Sequence, residues 1–285
     1  MTKPAVVTGI EALRGALAEL RRADESIGFV PTMGALHEGH ARLIEVARRD
    51  CEHVVVSIFV NPLQFDRRDD LDRYPRTLGA DVEICGSLGV DFVFAPSAAE
   101  MYPTEPACVV DVHRLGDHLC GAFRPGHFRG VATVVMKLFQ IVQADRAYFG
   151  EKDAQQLAII RRMVRDLDVP VEIVGVPTVR EGDGLALSSR NRLLSAGERS
   201  KAIALFKALE SVRHAIAAGE HDAAALVRAA AATIPADPAI RLEYLQIVEP
   251  EELQPVSAVT GPVIVAGAMW VGTTRLIDNI RTSQS

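Results

Sequence analysis

The run His53-Val54-Val55-Val56-Ser57-Ile58-Phe59-Val60 offers water almost no polar face. A strand sends successive side chains to opposite faces of its sheet, so a strand of this composition must be covered on both. That requirement points to a parallel sheet with helices on either side. The flanking sequence supplies partners. Ile27, Phe29 and Val30 form a second short apolar run, and residues 9–22 carry an amphipathic helical pattern. Leu43, Ile44, Val46 and Ala47 recur at near-helical spacing, which predicts a helix from about Glu38 to Asp50. Residues 27–60 therefore read as a βαβ unit, parallel and right-handed.

The connection inside that unit, residues 31–40, reads P-T-M-G-A-L-H-E-G-H. A strand, a glycine-containing turn and a helix N-terminus suit anion binding. Gly34 and Gly39 let a ligand approach the backbone closely. His37 and His40, three residues apart, share one face of a first helical turn. Two imidazoles beside backbone N–H groups suit nucleotide phosphates and charge that develops during reaction. Better-known sites do not fit. His40 and Ala41 stand where a P-loop needs Lys and Ser/Thr, G-x-G-x-x-G is absent, and H-E-G-H is one residue short of a zinc helix. Taken alone, H-x-G-H also admits a tight turn with two solvated histidines.

Asn61-Pro62-Leu63-Gln64-Phe65 leaves the C-terminal end of the strand, the edge where open α/β sheets bind ligands. Residues 66–72 are charge-rich and read as a solvated loop, stopped by Tyr74-Pro75-Arg76-Thr77. A helix over 78–88 and a strand over 91–95 follow. Residues 96–127 read as one long loop, a feature that in compact domains is usually functional or mobile. Val131, Val134, Val135, Leu138, Phe139 and Val142 then mark a strong helix. A strand at 146–149 leads through Gly150-Glu151-Lys152-Asp153 into a helix carrying Leu157, Ile160, Val164 and Leu167. Asp153 reads equally as that helix's N-cap, with Gln156 three residues on as in a capping box, or as part of a ligand site. A strand at 171–176 closes the series.

Strands alternating with helices predict an α/β fold, with a Rossmann-like parallel sheet domain over residues 1–178. After Pro177, Arg180-Glu181-Gly182-Asp183-Gly184 is a turn-rich joint. Helices near 196–218 and 222–234 and strands at 241–248 and 263–271 then predict a smaller α+β C-terminal lid domain over 179–285. The chain's 285 residues and net charge of −6, with both signs interspersed, argue against a general nucleic-acid surface. The four cysteines show no C-x-x-C spacing, and the N-terminus lacks a secretory apolar run, so reduced thiols in the cytoplasm are expected. No stretch approaches the roughly 18 apolar residues of a membrane helix.

Three turns now matter: 31–40, 150–153 and 187–191. Lys152 at a helix start offers a point charge for phosphates, though a lone turn lysine is more often merely solvated. Leu187-Ser188-Ser189-Arg190-Asn191 offers hydroxyls, N–H groups and a planar guanidinium, though alone it reads as a turn and helix cap. Together, P-T-M-G-A-L-H-E-G-H, N-P-L-Q-F, Y-P-R-T, R-P-G-H-F-R-G-V, F-G-E-K-D-x-x-Q and L-S-S-R-N, in this order, closely resemble the pantoate–β-alanine ligase (pantothenate synthetase) family. The resemblance covers nearly the whole chain and is weakest after about residue 195. That family belongs to the nucleotidyltransferase-like α/β group with the H-x-G-H signature.

The resemblance implies an ATP-dependent, AMP-forming ligase that joins pantoate to β-alanine through pantoyl adenylate, with Mg2+ accompanying ATP and a homodimeric, cytoplasmic protein. It implies an ATP site of Met33, Gly34, Ala35, Leu36, His37, Glu38, Gly39, His40, Gly150, Glu151, Lys152, Asp153, Val179, Leu187, Ser188, Ser189 and Arg190. His40 matches the position of a proton donor and His37 that of a phosphate ligand. His37, His40, Lys152, Ser188, Ser189 and Arg190 carry the catalytic charge and donors. Gln64 and Gln156 would hold pantoate, Gln64 also lying near β-alanine. Leu187 replaces the family's usual methionine, a swap of similar volume expected to have little effect. Tyr74 and Arg124 match family positions without an assigned role. Two other readings are a nucleotidyltransferase that leaves AMP on its product and a nucleotide-binding regulator without turnover. The glutamines with N-P-L-Q-F disfavour the first, and the intact His40, Lys152 and Arg190 the second.

Overall fold

A computed structural model describes residues 3–282. The apolar runs of the N-terminal half become the strands β1 (Ala5–Val7), β2 (Ile27–Thr32), β3 (His53–Ile58), β4 (Phe92–Phe94), β5 (Arg146–Gly150) and β6 (Glu172–Val176). They form one six-stranded sheet in the order β1-β4-β3-β2-β5-β6, with every neighbouring pair parallel. β2 and β3 are central, with Phe29 opposite Val55 and Val30 opposite Val56. Val54, Val55 and Val56 are fully buried, as a strand covered on both faces requires.

Between the strands run α1 (Ile10–Arg22), α2 (Glu38–Asp50), α3 (Arg68–Arg73), α4 (Leu78–Ser87), α5 (Ala98–Met101), α6 (Leu119–Phe123), α7 (His127–Val142) and α8 (Ala154–Asp166). Leu43, Ile44, Val46 and Ala47 of α2 pack with Val82 and Cys85 of α4 against Val30, Val54 and Val56. Phe29 and Val55 face the opposite side, because strand side chains alternate. There α7 packs on β2 and on α1. Each buried aliphatic or phenylalanine side chain contributes about 1.5–3 kcal/mol, so the two faces together hold the central strands firmly.

Two compact units result. One comprises Met1–Val112, Arg124–Glu151 and Ile159–Pro177; the other comprises His113–Phe123, Lys152–Ala158 and Thr178–Ser285. The second unit therefore takes in two segments, 113–123 and 152–158, that the sequence reading placed in the first domain. Its own elements are α9 (Ala196–Ala202), α10 (Ala204–Ala217), α11 (Ala223–Ala232), β7 (Ile240–Val248), β8 (Val263–Val271) and β9 (Thr274–Thr282). The strands form an antiparallel sheet, β7-β8-β9. Leu205, Leu209 and Val212 of α10 share a core with Val265 and Met269 of β8 and Ile280 of β9.

Several expectations are corrected. The charged segment 66–72 is not all loop: Arg68–Arg73 forms α3. Asp69 and Asp70 lie in its first turn and Arg73 in its last, the polarity a helix dipole favours, and Arg73 pairs with Asp69 at i,i+4. The stretch 96–127 contains α5 and α6, anchored by buried Met101 and Leu119. The helix expected over 196–218 is two, separated at Ile203. Strands β1 and β9 were not anticipated. β1 has only three residues, largely exposed, and β9 buries Thr274, Asp278, Asn279 and Thr282, which breaks the apolar alternation that marks a strand.

Candidate active site

The sheet delivers the P-T-M-G-A-L-H-E-G-H segment at the C-terminal end of β2. Thr32 Oγ1 donates to the Ser57 carbonyl at 2.7 Å and accepts from Gly34 N–H at 3.1 Å, so the turn starts from a fixed point on β3. Gly34 and Ala35 both adopt left-handed backbone, φ 83° and 53°. Gly34 is buried, and an added Cβ there would lie 3.0 Å from both Asp81 Oδ2 and Ile58 Cγ2. The glycine therefore serves the turn and the close approach of these two side chains.

His37 is the N-cap of α2, and His40 is its third residue. The two are joined in a capping box, His37 standing at the cap and not within the first helical turn. His37 Nδ1 accepts from Gly39 N–H at 3.1 Å, and His40 Nδ1 accepts from His37 N–H at 3.4 Å. The rings lie 4.1 Å apart, centroid to centroid, at a tilt of 42°. An imidazole whose Nδ1 accepts carries its proton on Nε2 when neutral. Both histidines are thereby fixed as Nε2–H donors at a helix N-terminus, where the dipole also favours negative charge.

The N-P-L-Q-F segment leaves β3 as a 3-10 turn, Pro62–Gln64. Buried Asn61 ties it down: its amide donates to the Gly130 carbonyl at 3.1 Å, and its Oδ1 accepts from Tyr102 at 2.9 Å. Burial pushes the Tyr102 hydroxyl up to about 12, so it remains a donor. An added Cβ on Gly130 would lie 2.2 Å from the Leu63 carbonyl oxygen, so α7 and this turn meet backbone to backbone. Arg124 and His127, for which the sequence offered no role, clamp the same turn. Arg124 Nη2 donates to the Gln64 carbonyl at 3.2 Å and His127 Nδ1 at 2.7 Å, while Asp66 pairs with Arg124 at 3.1 Å. The Gln64 side chain then donates to Met33 Sδ at 3.0 Å and accepts from Asn61 at 3.2 Å. Tyr74 packs edge-on against Phe65, ring centroids 5.8 Å apart.

The second unit arranges its own set. Lys152 lies in a 3-10 turn, Glu151–Asp153, that runs directly into α8. The Lys152 carbonyl accepts from Asn279 Nδ2 at 2.8 Å. Gln156 is half-buried near the start of α8. Residues 179–187 form a hairpin, with Leu187 N–H on the Val179 carbonyl at 3.0 Å and Arg180 bridged to Ala186. Arg180 donates to both oxygens of buried Asp278 at 2.7 and 2.9 Å and to the Asn279 carbonyl at 3.1 Å. Its guanidinium also stacks 4.4 Å from the Phe206 ring centroid. Beyond the hairpin, Ser188 caps the 3-10 turn Ser189–Leu193, its Oγ accepting from Arg190 N–H at 3.3 Å. Asn191 ties that turn back to the Ala186 carbonyl at 3.1 Å. Arg199 grips Glu181 and Asp183, and this pairing holds the Asp183 carboxyl below its usual range.

A family model described as Pantoate-beta-alanine ligase matches residues 5–281. The chain belongs to that family. Pantothenate synthetase 1 of Bradyrhizobium diazoefficiens is 53% identical over 281 residues, covering 98% of this chain and 99% of the relative. The crystal structure of pantothenate synthetase from Thermus thermophilus matches with a TM-score of 0.91 at 50% identity, covering 97% of this chain and 98% of that one. Pantoate-beta-alanine ligase from Francisella tularensis, in a structure complexed with beta-gamma ATP and beta-alanine, matches with a TM-score of 0.80 at 34% identity, covering 97% of each chain.

In this family member the sequence reading missed the residues that hold the motifs in shape. Asp81 accepts from Ala35 and Leu36 N–H, and Asp278 and Asn279 anchor Arg180 and Lys152. Asp81 carried one faint signal, an acidic residue in the first turn of α4, four residues after Thr77. Asp278-Asn279 carried none, because the pair interrupts the apolar pattern of its own strand.

Proposed function

We propose that the chain makes pantothenate from pantoate, β-alanine and ATP, with charged and donor residues assigned to the phosphates and neutral ones to pantoate. In the first step a pantoate carboxylate oxygen attacks the α-phosphorus of ATP. The bond from that phosphorus to the bridging oxygen breaks, and pyrophosphate leaves. In the second, the β-alanine amine attacks the acyl carbon, AMP leaves, and the nitrogen loses a proton. Neither step needs a side-chain nucleophile, and transfer at phosphorus depends mainly on positioning and charge stabilisation.

His37 and His40 are assigned to the phosphates, with His40 as the donor to the leaving pyrophosphate. Met33 to His40 supply the backbone of the ATP site, and Gly150 to Asp153, Val179 and Leu187 to Arg190 the remainder. Lys152, Ser188, Ser189 and Arg190 contribute further charge and donors. Gln64 and Gln156 are assigned to pantoate, being neutral groups that orient a hydroxy acid without competing as nucleophiles. Among the described residues no group of three or more His, Cys, Asp or Glu converges as a metal site. Mg2+ belongs to this reading as part of the MgATP substrate, held largely by phosphates and water. A homodimer in the cytoplasm completes the proposal, and sedimentation of the purified chain tests the dimer.

The observation that carries the assignment is the capping box at the start of α2, which fixes two Nε2–H donors 4.1 Å apart, ring to ring, at a helix N-terminus. Product analysis tests the reaction. Incubation with ATP, pantoate and β-alanine is expected to yield AMP and pyrophosphate with pantothenate. ADP and phosphate would identify an acyl phosphate route instead, and AMP retained on the product a nucleotidyltransferase.

A further inference from the structure

The turn that carries the histidines is strained at its middle, and the N–H groups of Ala35 and Leu36 are held from outside the segment. Gly34 and Ala35 are consecutive left-handed residues, and for Ala35, φ 53°, that conformation is unfavourable unless the surroundings impose it. What imposes it is a carboxylate. Asp81 of α4 is 2% exposed. Its Oδ2 accepts from Ala35 N–H at 3.0 Å and from Thr77 Oγ1 at 3.1 Å, and its Oδ1 accepts from Leu36 N–H at 2.8 Å. His37, the cap of α2, is the next residue along the chain.

We infer that Asp81 is a positioning residue for ATP: it braces the backbone of Ala35 and Leu36 in the shape that sets His37 and His40, although its charge alone would repel phosphates. The inference rests on the proposed assignment of residues 33–40 to the nucleotide. Its force comes from the sign. A negative charge placed behind a polyphosphate site opposes binding by Coulomb's law, so neutralising it should strengthen ATP binding if electrostatics dominated. If geometry dominates, neutralising it weakens binding. Asparagine at position 81 has the right shape but only one acceptor oxygen. With the NH2 at the Oδ1 position it faces Leu36 N–H; with the NH2 at the Oδ2 position it faces Ala35 N–H. Thr77 can turn to accept, but the backbone donors cannot. Either way one buried N–H loses its partner and the turn must move.

The test is steady-state kinetics on the full chain with Asp81→Asn, together with hydrogen exchange of the peptide holding Ala35 and Leu36. Asp81→Asn is expected to raise the KM for ATP on the order of 10-fold or more, the scale set by one lost buried hydrogen bond. Faster exchange at Ala35 and Leu36 should accompany it. Thr77→Val, which removes only the hydroxyl contact, should shift the same two readouts in the same direction by about 2- to 3-fold. A merely structural Asp81 would lower the melting temperature and leave the KM for ATP unchanged. That result, or a lower KM, overturns the inference. Should Asp81→Asn fail to fold, Thr77→Val with unchanged KM and unchanged exchange overturns it instead. His40→Ala, measured alongside, reports on the site assignment separately. Normal turnover there removes the assignment of His40, whereas an unchanged KM in Asp81→Asn removes the brace even when His40→Ala is inactive.

Discussion

Gly130→Ala puts the packing of the N-P-L-Q-F turn to a direct test. The new methyl carbon would lie 2.2 Å from the Leu63 carbonyl oxygen, 2.5 Å from its carbon and 2.7 Å from Gln64 N, where real contacts stay beyond 3.0 Å. All three obstacles are backbone, so no side chain can swing away. Helix α7 and the turn must separate by at least 0.8 Å, the difference between the 2.2 Å approach and the 3.0 Å limit. Separation stretches the Asn61–Gly130 hydrogen bond and the clamp of Arg124 and His127 on the Gln64 carbonyl. Overpacking of this kind destabilises by about 1–3 kcal/mol. For a unit of this size that lowers the melting temperature by about 2–4 °C per kcal/mol. If Gln64 holds pantoate, a displacement near 1 Å should reduce kcat/KM for pantoate by up to about 10², while the KM for ATP changes little. Varying each substrate in turn, beside a thermal melt, reads all three quantities. A variant with unchanged pantoate kinetics and an unchanged melt would refute both the contact and the assignment of Gln64.

Other outcomes follow from the same geometry. His40→Ala should keep the fold and lower adenylation by about 10² or more, the scale for losing a key donor, as measured in single-turnover assays. Arg180→Ala leaves Asp278 buried without its ion partner and should destabilise by about 3–5 kcal/mol in denaturant unfolding, because breaking one side of a buried pair strands the other charge. Tyr102 stays protonated to about 12, so the effect of Tyr102→Phe on the KM for pantoate should be flat from about pH 6 to about pH 10; an effect that fades toward the ordinary tyrosine range would show an ionising hydroxyl. ATP should slow hydrogen exchange over residues 180–195, and identical exchange in both states would count against a closing role for that segment.

The fold was legible where burial leaves a periodic mark. The apolar run at 53–60 and the spacing of Leu43 to Ala47 led to β3 and to α2, whose bounds Glu38–Asp50 the structure repeats. Legibility failed where polar groups are buried. Asp278 and Asn279 sit in the interior of β9 because Arg180 and the Lys152 carbonyl need them there, and a pattern of apolar residues cannot report a partner about a hundred residues away. α3 was hidden for the opposite reason, since its stability lies in charge order and not in an apolar face. The candidate site divides in the same way. The residues proposed to touch substrate stand in compact motifs, whereas those that shape the motifs, Asp81, Gly130 and Arg180, act across the fold and are visible only in three dimensions.

In the proposed reaction pantoate is activated before β-alanine takes part. A carboxylate is a poor target for an amine until one of its oxygens becomes a good leaving group, and AMP is such a group. The most direct measurement is exchange of labelled pyrophosphate into ATP with the purified chain, ATP and pantoate, and with β-alanine left out. Exchange is expected to depend on pantoate, to fall in Gln64→Ala and to need no β-alanine. Exchange that appears only once β-alanine is added would contradict a separate adenylate step.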